Sequence, residues 1–420
     1  MLKEMHPNIR IRIYISFLSR VIGSMVFPFM AIYFTKEINA TAAGILLMIQ
    51  IGIQFLASLY GGFLADTKGR KKMMVLGEWL KVVAFIGMIL ANSPWWTSPW
   101  LMFFMLLLMS ISTGFINPAA DAMMVDVSTK ETRAFMYTIN YWAANLSLML
   151  GLMVGGWLFQ TNFFELLIAL LLISFITLWM TATLIHETYK IKQESQVPTF
   201  ALKPIVQSYW SVIRDVPFIL FTLGGIAIMS IEYQRNNYIS IKLAEEFHTR
   251  IVSFFGMGQF SLDGVRLLSI LTVENTLFIV LFSTVIARFV RKQQNAIKPI
   301  MYVGFLFFGL GYAMMAISNQ LFTLFLSVII LSIGELLYVP TRQTILAEMI
   351  DESKRGTYMA FNGFIFQIGK IIGSACIIFG EVFHTTGMGV LYMAFAGLGI
   401  VLCSMGTKRF AKKNLSIRLS

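Results

Sequence analysis

The chain has 420 residues, of which 57% are hydrophobic and only 13% are charged, and its mean hydropathy is +0.74. So little polar surface cannot wrap a soluble globule, and lipid is the expected solvent. A net charge of +12 would suit nucleic acid, but the positions of the basic residues assign it to membrane topology, and no nucleic-acid partner is expected.

Crossing roughly 30 Å of hydrocarbon at about 1.5 Å per residue takes about 20 apolar residues. Twelve such runs are predicted to span the bilayer. The first six cover 11–34, 42–65, 73–91, 99–125, 134–159 and 163–184, and the second six cover 216–241, 267–289, 299–317, 321–346, 357–380 and 387–405. Span 1 is too long for a signal-peptide core and no small-residue cleavage site follows it, so it is expected to remain as the first helix. The polar stretch 186–215 reads as a linker between an N-terminal bundle, 1–185, and a C-terminal bundle, 216–420. A second insertion, 244–265, is expected at the outer membrane surface. Cys376 and Cys403 fall inside spans without C-x-x-C spacing, so neither redox chemistry nor a metal site is expected.

Basic residues set the orientation. Lys68, Arg70, Lys71 and Lys72 follow span 2, Lys130 and Arg133 follow span 4, and Arg288, Arg291, Lys292 and Lys298 follow span 8. Lys408, Arg409, Lys412, Lys413 and Arg418 close the chain, whereas the opposite side offers only Lys36, Lys242, Arg250 and Arg266. That asymmetry predicts a multi-pass protein of a plasma membrane, expected to be bacterial, with both termini cytoplasmic.

The two halves repeat at an offset of 222 residues, the distance from Pro118 to Pro340. Asp126 and Arg133 after Pro118 match Glu348 and Arg355 after Pro340, Asn140 matches Asn362, and Gly151 matches Gly373. Each half holds six spans and starts inside, which implies parallel repeats related by an axis along the membrane normal. Such a molecule can rock about a central cavity.

Between spans 2 and 3 the chain reads GGFLADTKGRKK from Gly61 to Lys72. Glycines permit a tight turn, and a carboxylate beside clustered cations can form a charge-relay contact. This segment resembles the signature loop of the major facilitator superfamily. The segments NYWAANLSLMLG from Asn140, GGWLF from Gly155 and GELLYVP from Gly334 further resemble its drug:proton antiporter family, over nearly the whole chain. The resemblance implies an all-α integral membrane fold of twelve transmembrane helices in two pseudo-symmetric six-helix bundles. It also implies a gating role for Asp66, Gly69 and Arg70, beside the plainer reading of a tight turn with a positive-inside anchor. Span 5 keeps Gly151, Gly155 and Gly156 of the antiporter motif, but Leu152 stands where the motif has proline. The relatives' span 5 and span 7 acids correspond here to Asn140 and Asn236, amides that cannot carry a proton.

Charges inside the spans are the best pointers to function, since each costs at least about 2.5 to 3.5 kcal/mol at the centre of a helix. Those singled out are Arg20, Asp121, Glu232, Arg235, Glu274, Glu335 and Lys370. Glu335 shares a helical stripe with Ser332, Tyr338 and Arg342, so it can face a polar cavity and exchange protons. A structural ion pair with Arg20 or Lys370 is the other reading. Asp121 is the second proton candidate because Gln343 replaces it in the repeat, and Glu232 is the third. Asp126 with Arg133 and Glu348 with Arg355 read as gate latches rather than proton sites. Glu232 and Arg235 either neutralise each other on one helix or bind opposite ends of a substrate. Tyr141, Trp142, Asn145, Asn140, Arg20, Arg235 and Asn236 make up the expected substrate lining.

No Walker A loop, nucleophile elbow or H-E-x-x-H motif occurs, so neither ATP-driven transport nor enzyme activity is expected. The expected activity is proton-coupled efflux of amphiphilic cationic drugs, driven by the proton gradient without a cofactor, by a monomer whose partners are its substrate, protons and lipids. A specific transporter of a zwitterionic solute, peptide or lipid is the alternative.

Overall fold

The computed structural model describes residues 6–128, 130–188, 210, 212–253, 259–350 and 355–419. Helix α1, Pro7–Val26, starts on a proline, whose missing N–H loses nothing in a first turn. A 3₁₀ turn, Phe27–Phe29, interrupts it at Pro28 before α2, Met30–Glu37. Proline has no N–H for the ladder, and this is where the α-helical pattern stops. Helix α3, Ala40–Lys68, is capped by Asn39, whose side chain accepts from the Ala42 amide at 2.7 Å. Then come α4, Arg70–Ala91, the two-residue strands β1, Asn92–Ser93, and β2, Trp96–Thr97, and α5, Pro99–Val127. Helices α6, Lys130–Leu158, and α7, Phe163–Thr183, follow.

The rest of the chain begins with α8, Val216–Glu232, a 3₁₀ turn, Tyr233–Asn236, and α9, Tyr238–Glu246. Strands β3, Arg250–Ser253, and β4, Gln259–Leu262, pair antiparallel, with Arg250 opposite Leu262. Helices α10, Gly264–Lys292, α11, Ile297–Ile317, α12, Leu321–Met349, and α13, Arg355–Leu419, complete it. The repeat is visible in the elements: α5 and α12 are both 29 residues long, each encloses its proline, and both ends are offset by 222.

Two expectations are corrected. Among the described residues ten helices, rather than twelve, are long and apolar enough to span. The expected spans 11 and 12 are two helices that meet at a kink at His384, where φ is 53°, and the expected span 5 lies within the 29-residue α6. The expected span 216–241 is also not one helix, because the 3₁₀ turn divides it at mid-length. The linker expected at 186–215 lies mostly outside the described residues.

By internal packing the chain divides into two compact units, Met1–Ser195 with Val265–Ile270, and Gln196–Gly264 with Leu271–Ser420. In the first, α4 packs against α5 and α7, and α1 against α6. In the second, α8 packs along α13 and α11 along α12. The α11–α12 contact depends on Gly334: a Cβ there would lie 2.5 Å from the Phe308 backbone nitrogen, and small residues allow such approach between membrane helices. Large apolar side chains such as Leu56, Trp79, Phe322 and Val382 point outward, as lipid contact requires.

The sharpest local geometry is between α3 and α4. Gly69 has φ 101° and ψ 144°, a region almost confined to glycine. Beside it Glu187 accepts from the Arg70 amide at 3.3 Å and the Lys71 amide at 2.9 Å. A carboxylate at a helix N-terminus satisfies free amides and complements the dipole. A Cβ on Gly69 would sit 2.7 Å from a Glu187 oxygen, so any other residue strains the turn and displaces the cap. Gly69→Ala is therefore expected to cost about 1–3 kcal/mol and Glu187→Gln about 0.3–1 kcal/mol, both measurable as lower thermal stability in detergent.

Candidate functional site

In the second unit a cavity of about 190 Å³ is lined by Glu232 and Met229 of α8, by Glu335, Tyr338 and Arg342 of α12, and by Phe366 of α13. Glu232 is the last residue of α8, and its carbonyl oxygen accepts from the Tyr312 hydroxyl at 3.2 Å. The helix thus stops at the carboxylate, and the 3₁₀ turn that follows carries Arg235. Broken helices at membrane depth are tolerated where freed backbone groups find partners or line a cavity.

Arg235 does not pair with Glu232. It donates to the Asn275 side-chain oxygen at 3.0 Å and lies 5.9 Å from the centre of the Tyr312 ring. Asn275 in turn donates to Ser332 Oγ at 2.8 Å and to Glu335 Oε2 at 3.3 Å. One amide therefore connects the guanidinium to the carboxylate, using its oxygen as acceptor and its NH₂ as donor. Among the described residues neither Glu232 nor Glu335 has a basic group within 4 Å. The Glu232–Arg235 neutralisation and a Glu335 pair with Lys370 are thus both absent among the described residues. Arg342 is held by the Asn362 side chain at 3.1 Å and lies over Phe221, while Lys370 lies over Tyr233.

In the first unit, Arg70 pairs with Asp126 and approaches Asp66 at 3.9 Å. The signature loop is thus joined to the end of α5, and Asp126 takes Arg70 as its described partner. The side chains of Arg133, Tyr141 and Arg355 lie outside the described residues. Glu348 and Asp121 are exposed. Arg20 donates to the Asn140 carbonyl at 3.3 Å, which leaves the Asn140 side-chain oxygen buried without a partner. Trp142 and Asn236 are exposed and Asn145 is half-buried; of the second unit's candidates, Arg235 and Asn236 are not among the residues that line the cavity.

Sequence reasoning passed over Arg12, Glu78 and Lys81, which are 4%, 0% and 2% exposed. Glu78 and Lys81 pair at 2.5 Å. The signal was present, as two charges three residues apart inside predicted span 3, but hydropathy averaging hid it. Asn275, an amide among the apolar residues of α10, left no comparable signal.

A family model described as Major Facilitator Superfamily matches residues 13–262 and 236–418. A Na(+), Li(+), K(+)/H(+) antiporter of Planococcus maritimus is 30% identical over 383 residues, 90% of each chain. The multidrug resistance protein MdtH of Baumannia cicadellinicola is 26% identical over 83% of this chain and 78% of its own. Among solved structures, a POT family transporter in complex with 5-aminolevulinic acid has a TM-score of 0.72 at 16% identity, covering 96% of both chains. The nucleoside transporter NupG has a TM-score of 0.69 at 15% identity, covering 97% of this chain and 99% of its own.

Removal of the connecting amide tests the network. Asn275→Ala leaves Arg235, Ser332 and Glu335 each short of a partner and is expected to cost about 1–3 kcal/mol, read as a lower melting temperature in detergent. Asn275→Gln, which keeps both functions of the amide, is expected to recover part of that loss.

Proposed function

The chain belongs to the Major Facilitator Superfamily, and from that premise we propose that this secondary transporter is a proton-coupled antiporter that exports cations by alternating access. The observation that carries this reading is the pair of carboxylates, Glu232 and Glu335, facing one cavity with no basic group in ion-pair contact. Two such groups are satisfied in turn by protons and by a positively charged solute. Competition for the same oxygens makes entry of one promote release of the other, and that is antiport. Glu335 is the principal proton carrier, with Glu232 beside it and Asp121 in the first unit as further acids.

The solute in this reading is an amphiphilic organic cation, its charged head at the acids, and export of such compounds would confer drug resistance. The MdtH relatives support it. Basic residues after spans 2, 4 and 8 support an orientation with both termini cytoplasmic in a bacterial plasma membrane, and the Arg70–Asp126 pair then belongs to a cytoplasmic gate. A second reading, exchange of alkali-metal cations, is favoured by the Planococcus maritimus relative and by the size of the cavity. About 190 Å³ is below the roughly 300–1,000 Å³ of pockets that enclose drug-sized ligands.

Everted vesicles carrying an imposed pH gradient separate these readings. Collapse of the gradient by tetraphenylphosphonium or ethidium is expected, collapse by Na⁺, K⁺ or Li⁺ alone would favour the second reading, and no response to any of them would end the antiporter reading. Glu335→Gln is expected to reduce proton-driven uphill transport about 100-fold, at the lower end of effects for a positioned proton-transfer group, while substrate binding remains measurable. Undiminished uphill transport in that variant would remove Glu335 from the mechanism.

A further inference from the structure

Three charged side chains lie buried in the first unit where α1, α4 and α7 meet, and the function above uses none of them. Lys81 is saturated: its ammonium pairs with Glu78 Oε2 at 2.5 Å and donates to Ser19 Oγ at 3.2 Å and Thr177 Oγ1 at 2.9 Å. The Thr177 hydroxyl donates to the same Glu78 oxygen at 2.7 Å. The other two members are not saturated. Glu78 Oε1 is buried without a hydrogen-bond partner, and so are Nε and Nη1 of Arg12. No ion pair to Arg12 lies within 4 Å among the described residues, yet Glu78 and Asp121 both attract it.

The cluster holds two cations and one carboxylate, a net charge of +1, in a membrane-embedded interior where each uncompensated charge is expensive. An unfilled carboxylate oxygen and unfilled guanidinium N–H groups in one cluster are the two halves of a missing ion pair. Making that pair gives Glu78 a second counter-ion, and loss of one proton from Lys81 then leaves the cluster neutral.

We propose that the Glu78–Lys81 pair is a second proton-exchange site of this transporter, at which Lys81 releases a proton as Glu78 changes partner from Lys81 to Arg12. The Nζ–H bond breaks with its electron pair left on nitrogen. The proton passes to Ser19 Oγ, which gives up its own to water, and the reverse sequence reloads Lys81. Ser19 suits this role because it touches the ammonium and is only half-buried. Asp121 supplies the control. While it is charged it competes with Glu78 for Arg12, and when a proton or cation neutralises it that competition ends and Arg12 turns to Glu78.

The remaining charges on the packed helices are few, those of α6, which packs on α1, being Lys130, Glu131 and Arg133 in its first turn. Helix α1 adds Arg10 and Arg20, the latter repelling Arg12 and attracting Asp121. Helix α5 adds Asp126, which is engaged by Arg70. Helix α3 carries only Asp66 and Lys68, in its last turn, and α7 only Glu165, in its first. Helix α4 itself adds Arg70, Lys71 and Lys72 at its start.

The inference rests on the proton-antiport reading, and the test separates the two. Full-length protein in proteoliposomes is given a pH gradient of one unit, and both the steady-state cation gradient and the protons moved per cation are measured. Wild type is expected to move more than one proton per cycle. Lys81→Arg keeps the ion pair but holds its proton permanently. It is expected to insert, to exchange cations downhill, and to reach a gradient about tenfold smaller, since each proton contributes about one decade per pH unit. The double variant Glu78→Gln/Lys81→Met is expected to show the same tenfold loss, and Ser19→Ala to slow the approach to steady state without changing its end point.

A purely structural pair predicts otherwise: Lys81→Arg would reach the wild-type gradient, and that result in either folded variant overturns the proposal. A wild-type stoichiometry of one proton per cycle overturns it without any variant. Absence of proton coupling in wild type brings down the antiport reading as well, whereas intact coupling unaffected by the variants removes this site alone.

Discussion

An ionised side chain inside a bilayer has no water to turn to, so its counter-charges and hydrogen-bond partners must come from the protein. This constraint organises both units, and each meets it differently. In the first, Lys81 and Glu78 are three residues apart on α4 and hold each other directly, with hydroxyls from α1 and α7 completing the ammonium's shell. In the second, Asn275 stands between Arg235 and Glu335 and satisfies both without letting them touch. A direct pair ties up both charges. An amide bridge leaves the carboxylate available, and the cavity lies on the side of the bridged pair.

Backbone interruptions serve the same end. The first membrane helix of each unit is broken, at Phe27–Phe29 and at Tyr233–Asn236. Pro28 explains the first break. The second has no proline, and its freed groups are partly taken up by tertiary contacts, as where the Tyr312 hydroxyl meets the Glu232 carbonyl. Ending α8 at Glu232 puts a carboxylate at a helix terminus beside the cavity, where a continuous helix would have carried on past it.

At the α3–α4 turn the constraint concerns backbone amides. The first amides of α4 have no intrahelical acceptor, and Glu187, just after α7, supplies one to two of them. The carboxylate reaches them because Gly69 has neither a Cβ nor a preference for negative φ. Arg70 leaves that turn to meet Asp126 at the end of α5. One glycine thus sets the geometry of a helix cap and an ion pair from different parts of the first unit.

How much of this was legible in the chain follows from the range of the forces involved. Hydropathy is a local sum, so most of the spans could be read directly, and the 222-residue offset, read from matching residues, is kept by the ends and prolines of α5 and α12 in three dimensions. The G-R-K turn and the stripe through Glu335, Tyr338 and Arg342 were readable because a helix fixes which neighbours share a face. The partners of the charges were not, because pairing across helices depends on packing that no short window contains. Arg235 chose Asn275 rather than Glu232, one turn away, and Asp126 chose Arg70, 56 positions away. By itself the sequence determined that this is a membrane-spanning repeat with acids inside it, since composition and period suffice for that. Only the tertiary structure decided which acids remain unpaired beside a cavity and which lie locked against a lysine, because a buried charge is defined by the atoms that surround it.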